Sequence, residues 1–422
     1  MALYKIVVRD YLGRPPDPAG QHNFSRRCFD EPTPRPSKFT RHAKYKASRS
    51  LSFDPAKAHA PKTFVDTKEA PFWYSLESRE ERKKYDYDLI TQKQKAVLPE
   101  KLLIQLQNSL KSMYANRVTQ MSFSNLDLGD YGLYAVLKAL QKNTSLTYVD
   151  LSNTQMGDDS LKRLSVALLQ NQTLRGVSLG GACSQESHKH NRIGDAGAIH
   201  FFRHLNDPSN RLAHVTLESD RITDKSTWAL CKALEGENCT RLSTLALRGP
   251  HIRDMLRLSA AILKSPCMLT ALDLSKCSLG DQGGVVLGNM LLKNRTISRL
   301  VLRYAKMGER GMMAIADALA KVGKSGVLAC LDLQGNSFSD NMVISMCGAL
   351  RSQIPLVRLN IRATGWLKGI GHAGGSALAS TLETGTIRSL KLLDLRGHEV
   401  GEGVELRLWH SSATVVVLTG EH

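Results

Sequence analysis

The sequence is short of most features that would settle its class at once. No apolar run reaches the 18 or more residues of a membrane-spanning helix. The start, Met1-Ala-Leu-Tyr-Lys-Ile-Val-Val, holds too short an apolar stretch for a secretory leader, so a soluble, intracellular chain without a membrane span is expected. The eight cysteines include no C-x-x-C pair, which argues against a disulfide or zinc framework. They read instead as small apolar fillers in a reducing compartment, with Cys277, Cys330 and Cys347 on core positions of strands and helices. Phosphate loops of the G-x-x-x-x-G-K-[ST] type, H-E-x-x-H and G-x-S-x-G are all missing. Gly369-Ile-Gly371-His-Ala-Gly374 has dinucleotide-fingerprint spacing but falls where a loop enters a helix, and it reads as punctuation. Cys183, His188 and His190 lack the paired spacing of zinc ligands. The reading is therefore non-enzymatic: no catalytic residue, cofactor, metal or small-molecule substrate.

Acidic residues are also scarce. Lys and Arg number 57 against 39 Asp and Glu, a formal net charge of +18. That excess implies an anionic partner, or else a heavily solvated surface.

What is abundant is self-similarity. The pattern apolar-x-x-apolar-x-apolar returns about every 28 residues, its central residue falling at Met121, Val149, Val177, Val215, Leu245, Leu272, Leu300, Leu331, Leu359 and Leu393. Each unit alternates as a short half-buried strand does, as in Leu272-Asp-Leu274. A Gly-Asp or Gly-Glu pair follows (Gly157-Asp158, Gly194-Asp195, Gly280-Asp281, Gly308-Glu309, Gly401-Glu402), and then apolar residues recur at helical spacing, as at Val285, Val286, Met290 and Leu291. Neither element can bury its apolar face alone, so the units must stack. The sequence resembles the leucine-rich repeat family, specifically the ribonuclease-inhibitor-like class, from Val118 to Gly403. The resemblance implies an α/β solenoid, a horseshoe with parallel strands inside and helices outside, and a protein-binding or scaffolding role with no fixed partner. The position that often holds Asn or Cys in that family is occupied by Leu126, Thr154, Asp220, Pro250, Cys277, Ala305, Asn336, Thr364 and His398. In the third unit an insertion around 183–190 displaces it to Asn191, and a shorter insertion lies around Trp366.

Four segments follow: a basic arm at 1–97, a capping helix at 98–117 carrying Leu102, Leu103, Leu106 and Leu110, about ten repeats over 118–403, and a C-terminal cap at 404–422. The first hundred residues hold ten of the 14 prolines and half of the aromatics. Proline-rich linkers are normally aromatic-poor, so rings spaced along a cationic strand suit a segment that wraps a preformed surface. The arm residues expected to dock are Arg26, Arg27, Phe29, Arg35, Lys38, Phe39, Arg41, Lys44, Tyr45, Lys46, Arg49 and Phe53, with Phe72, Trp73 and Tyr74 docking or capping the first repeat. On the concave face the candidates are Tyr148, Arg248, Arg299, Arg303, Arg358, Arg362 and Arg396. Their arginines either offer planar forks to a partner's carboxylates or phosphates, or pair laterally with Asp273, Asp332 and Asp394.

These features point to a structural component of a large assembly, binding protein partners through the solenoid and an acidic surface through the arm. The axonemal microtubules of a cilium or flagellum lead the choice, with a cytoplasmic, cytoskeletal location. The alternatives are a mitochondrial ribosome-associated protein whose arm enters rRNA, and a soluble regulatory repeat protein. Tubulin stands ahead of RNA, because residues 1–18 carry Asp10, Asp17 and three prolines and no serine, unlike an import segment.

Overall fold

The computed structural model describes residues 98–181, 190–249, 252–364, 369–385, 387–411 and 415–419. The arm, the insertion at 182–189 and Trp366 lie outside them. An opening helix α1 (Glu100–Tyr114) buries Leu103, Leu106, Leu110 and Met113 against the first repeat. Strand and helix then alternate: β1 (Gln120–Ser122), α2 (Gly129–Lys142), β2 (Tyr148–Asp150), α3 (Asp158–Gln170), β3 (Gly176–Leu179), α4 (Asp195–Leu205), β4 (His214–Glu218), α5 (Asp224–Leu234), β5 (Thr244–Arg248), α6 (Met255–Lys264), β6 (Ala271–Asp273) and α7 (Gly280–Lys293). The series continues through β7 (Arg299–Val301), α8 (Glu309–Val322), β8 (Cys330–Asp332), α9 (Asp340–Arg351), β9 (Arg358–Asn360), α10 (His372–Glu383), β10 (Leu392–Asp394), α11 (Glu402–His410) and β11 (Val416–Leu418). All strands run parallel in one sheet, in chain order. Parallel strands sit about 4.8 Å apart and packed helices about 8–10 Å apart, so such a stack must curve with the sheet on its inner side.

The eleventh strand lies inside the segment expected to be a plain cap. Val416–Leu418 pairs with Leu392–Asp394, but its run Val415-Val-Val-Leu418 is apolar without alternation and sits closer to its predecessor than one period, so it carries no repeat signature.

The central residues of β2 to β10, from Val149 to Leu393, are all buried, as are their partners two positions on, from Leu151 to Leu395. Each fully buried leucine contributes roughly 1.5–3 kcal/mol relative to exposure. Met121, in the terminal repeat, is only half-buried.

Polar ladders join the repeats. Aspartates in the first turn of the repeat helices are inter-repeat staples: Asp158 Oδ1 accepts from Gly194 N (2.6 Å), Asp224 from Arg253 N (3.0 Å), Asp281 from Gly308 N and Gly311 N (2.8 and 2.9 Å), and Asp340 from Gly371 N (2.8 Å). At the other end of the helices, Asn143, Asn171 and Asn294 are buried C-caps whose Oδ1 accepts backbone N–H groups three residues on. In a repeat between them Cys239 fills the same slot, and Asn238, one position before it, is exposed.

The loop ladder is filled by unlike residues doing one job. Asn336 Nδ2 donates to the carbonyls of Leu302 and Leu333 while its Oδ1 accepts from Met307 N. Asn191 does this across the insertion, reaching Leu151 O at 2.9 Å and accepting from Thr154 N and Met156 N. Cys277 Sγ donates to Leu247 O, and His398 bridges Ile361 O and Ile370 N. In the fourth repeat the ladder residue is Ser219, which donates to Ile193 O at 2.6 Å, whereas Asp220 is exposed.

Candidate protein-binding face

Because strand side chains alternate, the positions flanking each buried pair all project from the open side of the sheet. The registers align them into rows. One runs Tyr148, Gly176, His214, Thr244, Ala271, Arg299, Cys330, Arg358, Leu392, and the next runs through Asp273, Val301, Asp332, Asn360 and Asp394. A third row lies at or just past the strand ends. It is held in line by lateral bonds from Gly249 N to Ser275 O, Lys276 N to Arg303 O, Tyr304 N to Gln334 O, Gly335 N to Arg362 O and Ala363 N to Arg396 O. The seven expected concave residues therefore share one wall, with Arg299 and Arg358 in the first row and Arg248, Arg303, Arg362 and Arg396 in the third.

Three arginines engage the aspartates, and lateral pairing holds for two of them. Arg248 places Nε and Nη2 on Asp273 Oδ2 (2.8 and 2.7 Å), and Arg303 does the same with Asp332 Oδ2 (2.7 and 2.6 Å). Arg396 instead grips Asp394 of its own strand bidentately, at 2.9 and 2.7 Å. The three arginines are partly exposed while their aspartates are largely covered, and the pairs mainly fix side-chain direction. Burial, then the neighbouring Arg396, pushes the Arg362 guanidinium pKa downward. Tyr148 lies flat on Gly176, where a Cβ would stand 2.6 Å from its ring, and burial followed by Asp150 drives its hydroxyl pKa up.

Charge is unevenly spread. The wall positions of β1 to β4 carry Asp150 and Glu218 and no Lys or Arg, while those of β7 to β10 carry five arginines against two aspartates. Lys276 reaches back to Glu218 (2.8 Å).

The structure moves one expected core residue onto this face. Cys330 is half-buried in the first row between Arg299 and Arg358, because its strand position is outward rather than inward. It also adds Tyr304, 41% exposed, whose hydroxyl accepts from Gln334 Nε2 at 3.3 Å. Alternation would have buried Tyr304, but its left-handed backbone (φ 52°) turns the chain there. On the outer helices, exposed aromatics meet cations: Tyr134 lies under Arg163 (5.4 Å) and Lys138 (5.8 Å), and Trp228 under Arg257 (4.9 Å). Two aromatics among helical positions gave no signal of this. His190 Nδ1 lies 3.3 Å from Asn153 Oδ1, while Cys183 and His188 lie outside the described residues, as do all the arm residues from Arg26 to Tyr74. Among the described residues no cluster of three potential metal ligands occurs, and no helix is long and apolar enough to cross a membrane.

A leucine-rich repeat family model matches residues 142–165 and 265–288. The pig (Sus scrofa) ribonuclease inhibitor is 29% identical over 143 residues, 33% of this chain and 31% of that protein. Human (Homo sapiens) NACHT, LRR and PYD domains-containing protein 12 is 30% identical over 196 residues, 45% of this chain and 17% of that one. The chain thus spans less than a third of the length of these relatives. A solved structure of the yeast Rad7 and Elc1 complex aligns with TM-score 0.42 at 15% identity, covering 80% of this chain and 93% of that one. Repeats of this kind form protein-interaction scaffolds, and their families are generally non-catalytic. Strand register, loop ladder and family match converge: the chain is a leucine-rich repeat protein of the ribonuclease-inhibitor-like class.

Proposed function

We propose that this chain is a non-catalytic scaffold of a large assembly, whose solenoid holds a protein partner against the open wall while the basic arm docks on an acidic surface. The observation that carries the first half is the wall itself: rows of polar side chains held in register, with arginine and tyrosine, residue types that dominate interface energetics, gathered at one end. The second half is supported by 20 Lys and Arg against 13 Asp and Glu in residues 1–100, interleaved with rings. The acidic surface that fits best is tubulin in a ciliary or flagellar axoneme. Co-sedimentation of the full chain and of a chain lacking residues 1–60, with microtubules and separately with RNA, tests this. Microtubule binding lost on deletion is expected. Unchanged microtubule binding on deletion, or pelleting with RNA alone, overturns the arm assignment.

A further inference from the structure

Resting on the reading of the wall as the partner-binding face, the geometry points to an acidic segment of the partner protein as the occupant of β7 to β10. The wall there bears Arg299, Arg303, Arg358, Arg362 and Arg396 against Asp332 and Asp394. Each of those aspartates is already gripped by an arginine, Asp332 by Arg303 and Asp394 by Arg396. Whatever else the remaining guanidiniums touch, the patch keeps an excess of three positive charges that its own carboxylates cannot match. At β5 and β6, by contrast, Arg248 and Asp273 cancel.

Spacing narrows the occupant. Arg299 and Arg358 stand two strands apart, about 10 Å, and the first and third rows lie four residues apart along the chain, about 13 Å. In a segment of polyproline II conformation crossing the strands, residues three apart share one face and stand about 9 Å apart, so acid-x-x-acid places one carboxylate over Arg299 and the next over Arg358. The half-buried Cys330 lies beneath the midpoint, and exposed Tyr304 stands at the rim beside Arg303. The pattern suits a fork-by-fork grip on carboxylates with an aromatic anchor at its edge.

Cys330 makes the site readable without the arm. Among the described residues it is the one free cysteine that is not buried. Alkylation of Cys330 by iodoacetamide in the full chain is followed by peptide mass spectrometry, with and without an octaglutamate peptide. The peptide is expected to slow Cys330 alkylation several-fold at low salt, and 0.5 M salt to remove the protection. Arg299→Glu with Arg358→Glu is expected to raise the peptide concentration needed by about tenfold or more. The unfolding midpoint of this double variant is measured alongside, and Arg299→Glu alone, at an exposed position, serves if the double variant unfolds early. Cys330 reacting equally fast with and without peptide overturns the proposal, as does full protection in the variants. Protection by single-stranded RNA but not by the peptide overturns it in favour of a nucleic acid. Each of these leaves the microtubule test of the arm unaffected.

Discussion

Replacing Asn336 with alanine tests whether unlike loop residues perform one structural task. Asn336 is fully buried. Its side chain donates to Leu302 O at 2.8 Å and Leu333 O at 2.6 Å and accepts from Met307 N at 3.0 Å. Truncation strands one N–H and weakens two carbonyls where water has little access, and each unsatisfied buried group costs about 1–3 kcal/mol. With partial relaxation, a loss of about 3–5 kcal/mol is expected. Asn336→Cys supplies the chemistry that Cys277 uses two repeats earlier, a thiol donating to the carbonyl of Leu247 at 3.1 Å. It should recover part of the loss, though not the Met307 bond. Urea unfolding followed by circular dichroism reads both variants. A loss below about 1 kcal/mol for Asn336→Ala, within the range of ordinary surface substitutions, would refute the reasoning, as would a cysteine variant no better than alanine.

Three further outcomes follow from other parts of the stack. Gly288 of α7 faces Ala314 O of α8 at 2.6 Å from where a Cβ would stand, so Gly288→Leu should force the helices apart and cost about 2–4 kcal/mol in urea unfolding. Lys306 is exposed with φ 57°, and Lys306→Gly should stabilise by about 1 kcal/mol by relieving a left-handed backbone, read as a higher unfolding midpoint. His398 donates from Nε2 to Ile361 O and accepts at Nδ1 from Ile370 N, which requires a neutral ring, and burial lowers its pKa, with the Ile361 bond and Asp394 opposing. Burial lowers His204 and His214 as well. Because the folded values lie below the unfolded value of 6.5, this contribution is complete above that pH and is lost as pH falls from there through the folded values. The unfolding midpoint should therefore drop between pH 7 and 5, and His398→Asn should flatten the slope.

The strands and helices were legible because burial imposes two strict periods, and every central residue from Val149 to Leu393 obeys them. Strand neighbours were legible too, since equal registers in successive units leave one way to stack. The cross-repeat chemistry was only half legible. Gly-Asp could be read as punctuation, but the role of Asp281 in accepting from Gly308 and Gly311 depends on a neighbouring repeat that local sequence does not specify. Asp220 and Asn238 each miss the ladder by one residue, because Ser219 and Cys239 sit where the chain passes inside. Tyr304 was hidden for a different reason: a left-handed turn breaks the alternation that would have buried it. Of the wall, the row of arginines was visible, whereas which aspartate each one grips depended on side-chain reach.

The wall as the partner-binding face is tested most directly by a photo-crosslinking residue placed at exposed wall positions, Arg299 and Tyr304, and at exposed outer-helix positions, Leu256 and Ile344, in the cell of origin. Capture of one and the same protein from both wall positions, and of none in common from the outer helices, is the predicted result. Capture of a shared partner from Leu256 and Ile344 with nothing from the wall would contradict it.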